Sequence, residues 1–450
     1  MSTPTDNPDT TPHDPQVGPG PPSSGVVDRI GPIFISYRHS DGRSVAEEIT
    51  WLLRSAGLLA WLDTVNLPPG PFTTHLEQAL TNGLSGAVLI VTADIEHSTT
   101  VREQELPRLR QLAGNPNFGF AVANAVAPDG EAMDLAAPDR LLGLEQGVLR
   151  NYMQYNAWSG DQQLTMVDQL LKHRIRQLEP PVPESEGSNE RLFTIAVQTR
   201  EEQVLAEAYR QDLHIHLQPP ESQRKVPPRA ALERLQRTLP RTSAAVARTG
   251  ATTVRLSGGI HLSVSLAIGA ALPETLIGRM ELVGPRQHIW SSEAAVDDPH
   301  DHDIVCAEVP ETVDSRAGSR ARMAVFVTMA PNPDQSPFPP LLREADPPFT
   351  HAVRISLDPL EQFDPREAGR LSWTVANRLK AIATQHGDEN GPAEVHLAYH
   401  GPTALAALIG RYLNTLRTVV YEYRPAEYVP MMTLDPGVTD GPIVQVHPAG

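Results

Sequence analysis

Ile33-Phe34-Ile35-Ser36-Tyr37-Arg38-His39-Ser40-Asp41 is the stretch from which the first part of this chain can be read. Three apolar residues followed by a polar run describe a strand buried on both faces, ending at an edge where polar groups gather. Downstream, Val45, Ile49, Leu52, Leu53 and Ala56 recur at helical spacing, and Ser44 with Glu47 has the spacing of a capping box. Gly57 predicts the end of that helix, and Leu58 to Leu62 a second strand. Thr74 opens a predicted helix carrying Leu76, Ala79, Leu80 and Leu84, while Ala87 to Val91 and Phe118 to Ala123 predict strands three and four. Ser159 and Gln162 repeat the capping-box spacing ahead of a stripe formed by Leu164, Val167, Leu171, Ile175 and Leu178. Strands alternating with amphipathic helices predict an α/β fold with a parallel sheet.

Outward from this stretch, the 450 residues suit two or three domains. Residues 1–30 are rich in Pro, Thr, Asp, Ser and Gly without apolar periodicity, which predicts a disordered tail. Residues 179–190 read as a stiff, solvated linker, leaving modules at 31–178 and 191–450. No apolar run is long enough to span a membrane, and the N-terminus lacks the order of a secretion signal. The single cysteine, Cys306, excludes an internal disulfide framework, so a cytoplasmic protein is expected. The net charge of −17 argues against DNA or RNA polymers as partners. Lys172, Lys225 and Lys380 are the only lysines, so arginine carries the positive charge; a codon bias toward Arg, Ala and Pro is the preferred explanation, and a locally basic phosphate pocket the alternative.

In parallel α/β sheets, ligands bind beyond the carboxyl ends of the strands. Those ends carry Tyr37 and Arg38 after strand one, Asp63 and the proline loop through Phe72 after strand two, and Asp94, Glu103 and Glu105 after strand three. At helical spacing Glu105 shares a stripe with Val101, Leu109 and Leu112, an inward position that is costly for a charge. Glu103 falls on the opposite face, and Pro107 predicts a helix that begins late.

Phe34-Ile35-Ser36-Tyr37, Trp61-Leu62-Asp63, Leu67-x-x-Gly70 and Val88-Leu89-Ile90-Val91, with Glu105-Leu106 beyond, resemble a TIR domain. That resemblance implies a flavodoxin-like parallel sheet and one of two activities, scaffolding by self-association or hydrolysis of NAD+. For hydrolysis it implies Glu105 as the catalytic carboxylate. Nicotinamide leaves as a neutral base from a cationic nucleoside, so one carboxylate beneath the ribose can stabilise the oxocarbenium-like transition state. Tyr37, Arg38, Asp63 and Phe72 would bind NAD+, although Phe72 serves equally as core packing. The glycine-rich dinucleotide fingerprint is missing, which argues against hydride transfer.

The second module repeats itself. Leu256-Ser257-Gly258-Gly259-Ile260, leading into Ser263 to Gly269, aligns without a gap on Leu397-Ala398-Tyr399-His400-Gly401, leading into Ala404 to Gly410. Each copy predicts a strand, a small-residue turn and a narrow helix packed on the sheet, followed by a strand ending near Trp290 or Tyr423. Leu192 to Gln198 and Ala324 to Thr328 are the matching upstream strands. The module is similar to SAVED domains, two fused CARF-like (Rossmann-like) halves that sense cyclic oligonucleotides in bacterial anti-phage (CBASS) systems. By that resemblance Gln198, Thr199, Arg200, Gly258, Gly259, His400, Gly401, Pro402 and Arg411 would line the pocket. The acidic, histidine-bearing run from Asp297 to Asp303 reads as a solvated loop, and no metal is assigned.

The combined expectation is an NAD+ hydrolase switched on by a cyclic oligoadenylate, most simply cyclic tri-AMP, through self-association into filaments. NAD+ would be substrate and the cyclic nucleotide activator, with no cofactor. The alternative from another class is a non-enzymatic TIR adaptor that assembles with partners.

Overall fold

The computed structural model describes residues 26–62, 83–127, 132–179, 191–201, 210–222, 226–284, 287–309, 320–435 and 437–448. Asp63, Phe72, the proline loop, residues 74–82 and nearly all of the tail and linker lie outside the described residues.

The first module is built on β1 (Ile33–Ser36), β2 (Ala60–Leu62), β3 (Gly86–Val91), β4 (Gly119–Asn124) and β5 (Gln154–Asn156). All pairings are parallel and the order is β2-β1-β3-β4-β5, the flavodoxin-like arrangement. Around it stand α1 (Arg43–Ser55), α2 (Leu106–Ala113), α3 (Ala137–Leu141) and α4 (Gly160–Leu178). Three local expectations are corrected. Ser44 lies inside α1, whose N-cap is Gly42 without a side-chain bond, and Glu47 pairs with Arg43 at 2.9 Å. The nearby carboxylate that could cap, Asp41, instead accepts from Thr92 Oγ1 (2.7 Å) and Asp94 N (3.0 Å), tying the β1 and β3 ends together. Leu84 is not helical but bridges Val27 beside the sheet. Ser159 does cap α4 through Gln162 N, but the Gln162 side chain accepts from Asn156 N (2.7 Å) and not from Ser159.

The second module holds two halves with one topology. The first comprises β6 (Leu192–Gln198), β7 (Leu213–His216), α5 (Arg229–Arg248), β8 (Thr253–Ser257), α6 (Leu262–Ala271), β9 (Arg279–Val283) and β10 (Ile289–Ser291). The second comprises β11 (Asp303–Glu308), β12 (Arg322–Thr328), α7 (Phe338–Glu344), β13 (His351–Asp358), α8 (Ala368–Gln385), β14 (Glu394–His400), α9 (Thr403–Tyr412), β15 (Thr418–Arg424), β16 (Glu427–Leu434) and β17 (Ile443–Val446). The order β7-β6-β8-β9-β10 recurs as β13-β12-β14-β15-β16, with the first four strands parallel and the fifth antiparallel. Trp290 therefore sits on the returning strand β10, whereas the counterpart of β15 in the first half is β9. The run from Asp297 is also no free loop. His302 bonds Glu367 at 2.8 Å, and Arg370 joins Glu367 (2.6 Å) to Asp298 (2.8 Å) at the start of α8.

The small residues of α6 and α9 act between helices more than on the sheets. A Cβ on Gly269 would overlap the Ala407 carbonyl oxygen, and one on Gly410 the Leu266 carbonyl oxygen. The two halves thus meet helix to helix around an internal pseudo-two-fold. The modules also touch, contrary to the picture of two bodies on a linker. The last carbonyls of a helix lack intrahelical donors. At the end of α1, those of Ser55, Ala56 and Gly57 are taken by Thr238 Oγ1 (3.1 Å), Thr242 Oγ1 (3.0 Å) and His214 N (2.8 Å) of the second module. Arg234 reaches Glu48 at 2.6 Å, and one continuous apolar core runs from Ile49 and Leu53 to Leu213 and Leu235.

Candidate functional site

In the first module, the chain leaving β3 forms a short 3-10 turn and then a π-helical turn from Thr100 to Glu105, before α2 begins at Leu106. Pro107 has no N–H to give to the carbonyl four residues back, which favours a wide turn there. Widened turns of this kind recur at functional sites. Glu105 ends that turn at 4% exposure, on the stripe of Val101, Leu109 and Leu112, while Glu103 is exposed. The inward placement expected for Glu105 is what the structure has.

At the end of β1, Tyr37 is buried and stacks on His39 with ring centres 4.9 Å apart. Arg38 Nε donates to Asp94 Oδ2 (3.1 Å) and Ser40 Oγ (2.8 Å), and Ser40 Oγ donates to Asp94 (2.7 Å). The Ser40 hydroxyl and then the Arg38 guanidinium hold Asp94 below the usual carboxylate range. Arg38 is thus positioned at the strand end but already faces a carboxylate, which an incoming phosphate would share or displace.

The second module carries a cavity of about 770 Å³, within the size range of small-molecule sites. Gln198 and Arg200 at the end of β6 line it, together with Gly258 and Gly259 after β8. Gly258 has φ +114°, and a Cβ there would overlap the Val197 carbonyl, so the turn demands glycine. Across the gap Pro402, Thr403 and Ala404 bring the start of α9 to the same cavity. The cavity continues over the open face of the first half's sheet for a simple steric reason. Strand register makes Ala196 the twin of Phe326, and Phe326 fills the second half by stacking on Phe338 at 5.3 Å.

Four expected residues lie outside the lining of this cavity. Thr199 is buried behind the turn, where its N–H (3.1 Å) and Oγ1 (3.2 Å) donate to Gly259 O and its hydroxyl meets His261 Nδ1 at 2.8 Å. The His400 carbonyl accepts from Met329 N at 2.7 Å, and Gly401 is kept small by the Tyr399 hydroxyl, which donates to Pro402 O. Arg411 is 1% exposed and donates to the carbonyls of Leu272 (2.9 Å), Gly278 (2.7 Å) and Ile277. It is a cation at the C-cap carbonyl of α6 and at two carbonyls just before β9, at the far end of α9 from Pro402.

The sequence reading missed His214, Arg255 and Trp290, all of which line the cavity. The alternation Leu213-His214-Ile215-His216 was the available signal, since it places both imidazoles on one face of a strand. Burial, then His216 and Arg54, push the His214 pKa to about 3; burial and Arg54 push that of His216 to about 4. Both rings are therefore neutral at pH 7. Arg255 is held by Glu281 (2.7 Å), which also takes Arg279 (2.7 Å). Arg200 lines a second cavity as well, of about 520 Å³, shared with Glu47 and Trp51 of α1. One arginine thereby borders both that cavity and the junction with the first module.

No helix among the described residues is long and apolar enough to cross a membrane. A comparison with curated proteins gives no match. Among solved structures, the chain is similar to an Acinetobacter baumannii Cap4 SAVED/CARF-domain containing receptor with the cyclic trinucleotide 2'3'3'-cAAA, at 11% identity and TM-score 0.42, over 88% of this chain and 97% of that one. It is also similar to a Moraxella osloensis Cap4 SAVED/CARF-domain containing receptor, at 11% identity and TM-score 0.36, over 87% and 97%. The TIR domain family matches residues 33–120, and the SMODS-associated and fused to various effectors sensor domain (SAVED) matches residues 233–434. With both matches in that order along one chain, this protein is a TIR domain followed by a SAVED sensor domain.

Proposed function

We propose that this protein is a cyclic-oligonucleotide-activated NAD+ hydrolase of a bacterial anti-phage (CBASS) system. The observation that carries the enzymatic part is Glu105, a carboxylate held at 4% exposure on a π-helical turn at the ligand-binding end of the sheet. A carboxylate fixed at that place can stabilise an oxocarbenium-like transition state. Tyr37 and Arg38 hold the dinucleotide beside it, with Asp63 and Phe72 as further NAD+-binding candidates. The activator, a cyclic oligoadenylate such as cyclic tri-AMP, occupies the 770 Å³ cavity against Gln198, Arg200, Gly258, Gly259 and Pro402.

Activation follows two contacts. Arg200 borders both the activator's cavity and the α1 junction, so occupancy changes the surroundings of Trp51 and Glu47. Liganded sensors then stack head to tail into filaments and concentrate the TIR domains, because a heterologous contact does not close. Purified protein incubated with NAD+ and a panel of cyclic di- and trinucleotides tests this, with nicotinamide measured by chromatography and particle size by light scattering. Ligand-dependent nicotinamide release that rises per molecule with protein concentration is expected. A bound activator with no release refutes the hydrolase and leaves the adaptor reading.

A further inference from the structure

The two halves of the SAVED domain treat equivalent helix N-termini differently. At the start of α6, Glu422 of β15 accepts from Ser263 N (2.7 Å) and Ser263 Oγ (2.8 Å), and Leu262 N–H also donates to it. A buried carboxylate from one half thus satisfies first-turn donors of the other. Strand register gives the equivalence as far as Leu282 and Val420, the last paired residues. Val254 pairs with Met280 across β8 and β9, as Val395 pairs with Thr418 across β14 and β15. Counting onward from Met280 and Thr418 makes Gly284 the twin of Glu422. The helical twins of Leu262 and Ser263 are Thr403 and Ala404, the first two residues of α9. Gly284, Thr403 and Ala404 all line this cavity, and among the described residues no side chain accepts from the Thr403 or Ala404 N–H. Where one half holds an internal carboxylate, the other holds Gly284, whose side-chain direction is taken by the Trp290 indole, and an α9 start that opens on the cavity.

A second feature of the same cavity points to a ligand independently. His214 is 2% exposed, lines the cavity, and among the described residues neither ring nitrogen has a hydrogen-bond partner. Buried polar atoms left open are costly unless a bound group completes them.

We propose that the cavity seats one phosphodiester of its ligand between Gly284 and the first turn of α9, the place whose twin is filled by the Glu422 carboxylate. This rests on the reading of the cavity as a cyclic-oligonucleotide site. Glu422 is then a specificity-determining residue. It closes the second of two related anion places, so a ring with repeating phosphates enters in one orientation, one ring per chain. The neutral imidazole of His214 offers a donor and an acceptor to a base edge or ribose hydroxyl on the sheet floor.

The test uses the full chain and cyclic triadenylate. Thr403→Pro removes the N–H of the first helical residue, where proline fits because Pro402 before it is already extended (φ −61°, ψ 134°). Calorimetry is expected to give one ring per wild-type chain and an affinity about ten-fold lower in the variant, for the loss of one charge-assisted hydrogen bond. Amide NMR of the wild type reads the same event without a substitution: Thr403 and Ala404 shift with ligand, while Leu262 and Ser263, held by Glu422, do not. Glu422→Gly copies Gly284 into the other half, and inorganic phosphate is then expected to shift Leu262 and Ser263 as well. Unchanged affinity in a folded Thr403→Pro chain, or equal shifts at both helix starts in the wild type, overturns the proposal. Should no cyclic nucleotide bind the wild type, the reading of the cavity fails. The Thr403 and Ala404 amides titrated with inorganic phosphate then decide separately whether the anion place exists.

Discussion

Gly269 and Gly410 are twins that each press against the backbone of the other's helix, Gly269 on the Ala407 carbonyl and Gly410 on the Leu266 carbonyl. Neither contact leaves room for a methyl group. Gly269→Ala is expected to separate α6 from α9 and destabilise the chain by about 3 kcal/mol, the upper part of the usual overpacking range. Thermal unfolding of the variant checks this. A melting temperature equal to wild type would show that the helices slide apart at little cost.

Glu105→Gln keeps the shape of the side chain and removes its charge. Nicotinamide release at saturating activator is expected to fall at least about 100-fold, as when a fixed electrostatic group is lost from a transition state. Calorimetric affinity for the activator should not change, since the sensor cavity is elsewhere. Glu103→Gln, on the exposed face, is expected to retain activity; the reverse pattern would move catalysis to Glu103.

The junction can be loosened without touching either site. Thr238→Val with Thr242→Val preserves volume but leaves the Ser55 and Ala56 carbonyls without their side-chain donors. Each buried acceptor left open costs about 1–3 kcal/mol. The double variant is expected to bind activator normally and release nicotinamide more slowly at equal occupancy. Undiminished release would mean that the α1–α5 contact carries no signal.

Acid should loosen the same junction. His214 and His216 are held at about 3 and about 4, against an ordinary value of 6.5, chiefly by burial. Well above pH 6.5 both are neutral folded and unfolded, and they add no pH dependence. As pH falls from 6.5 toward 4 the unfolded chain takes protons that the folded chain refuses, so stability is lost. The limit is about 1.4 kcal/mol per histidine per pH unit. The melting temperature is expected to drop between pH 6.5 and 5, and His216→Gln to reduce that slope. A flat profile over this window would contradict the buried, neutral state of both rings.

Much of the fold was legible because its signals are local. The apolar run at Ile33–Ile35, the stripe from Val45 to Ala56 and the duplicated turn–helix units follow from periodicities that survive without knowledge of the partner surface. Glu105 was legible for the same reason, since helical spacing alone put it on the inward stripe. Ser44 misled because α1 begins two residues earlier than its capping-box spacing implied, with Ala46 N donating to the Gly42 carbonyl. Arg411, placed in the pocket by the resemblance alone, lies in the last turn of α9 and serves three carbonyls to which no local pattern points.

By itself, the sequence determined two α/β modules, the internal duplication and the strand ends at which chemistry collects. Each is written in the order of apolar and small residues along a short segment. Only the tertiary structure decided that α1 is capped by the sensor, that Ala196 leaves open what Phe326 closes, and that Glu422 answers the start of α6 while Gly284 leaves α9 unanswered. These outcomes depend on which atoms meet across strands and helices distant in the chain, and burial makes each meeting count by removing water as the alternative partner.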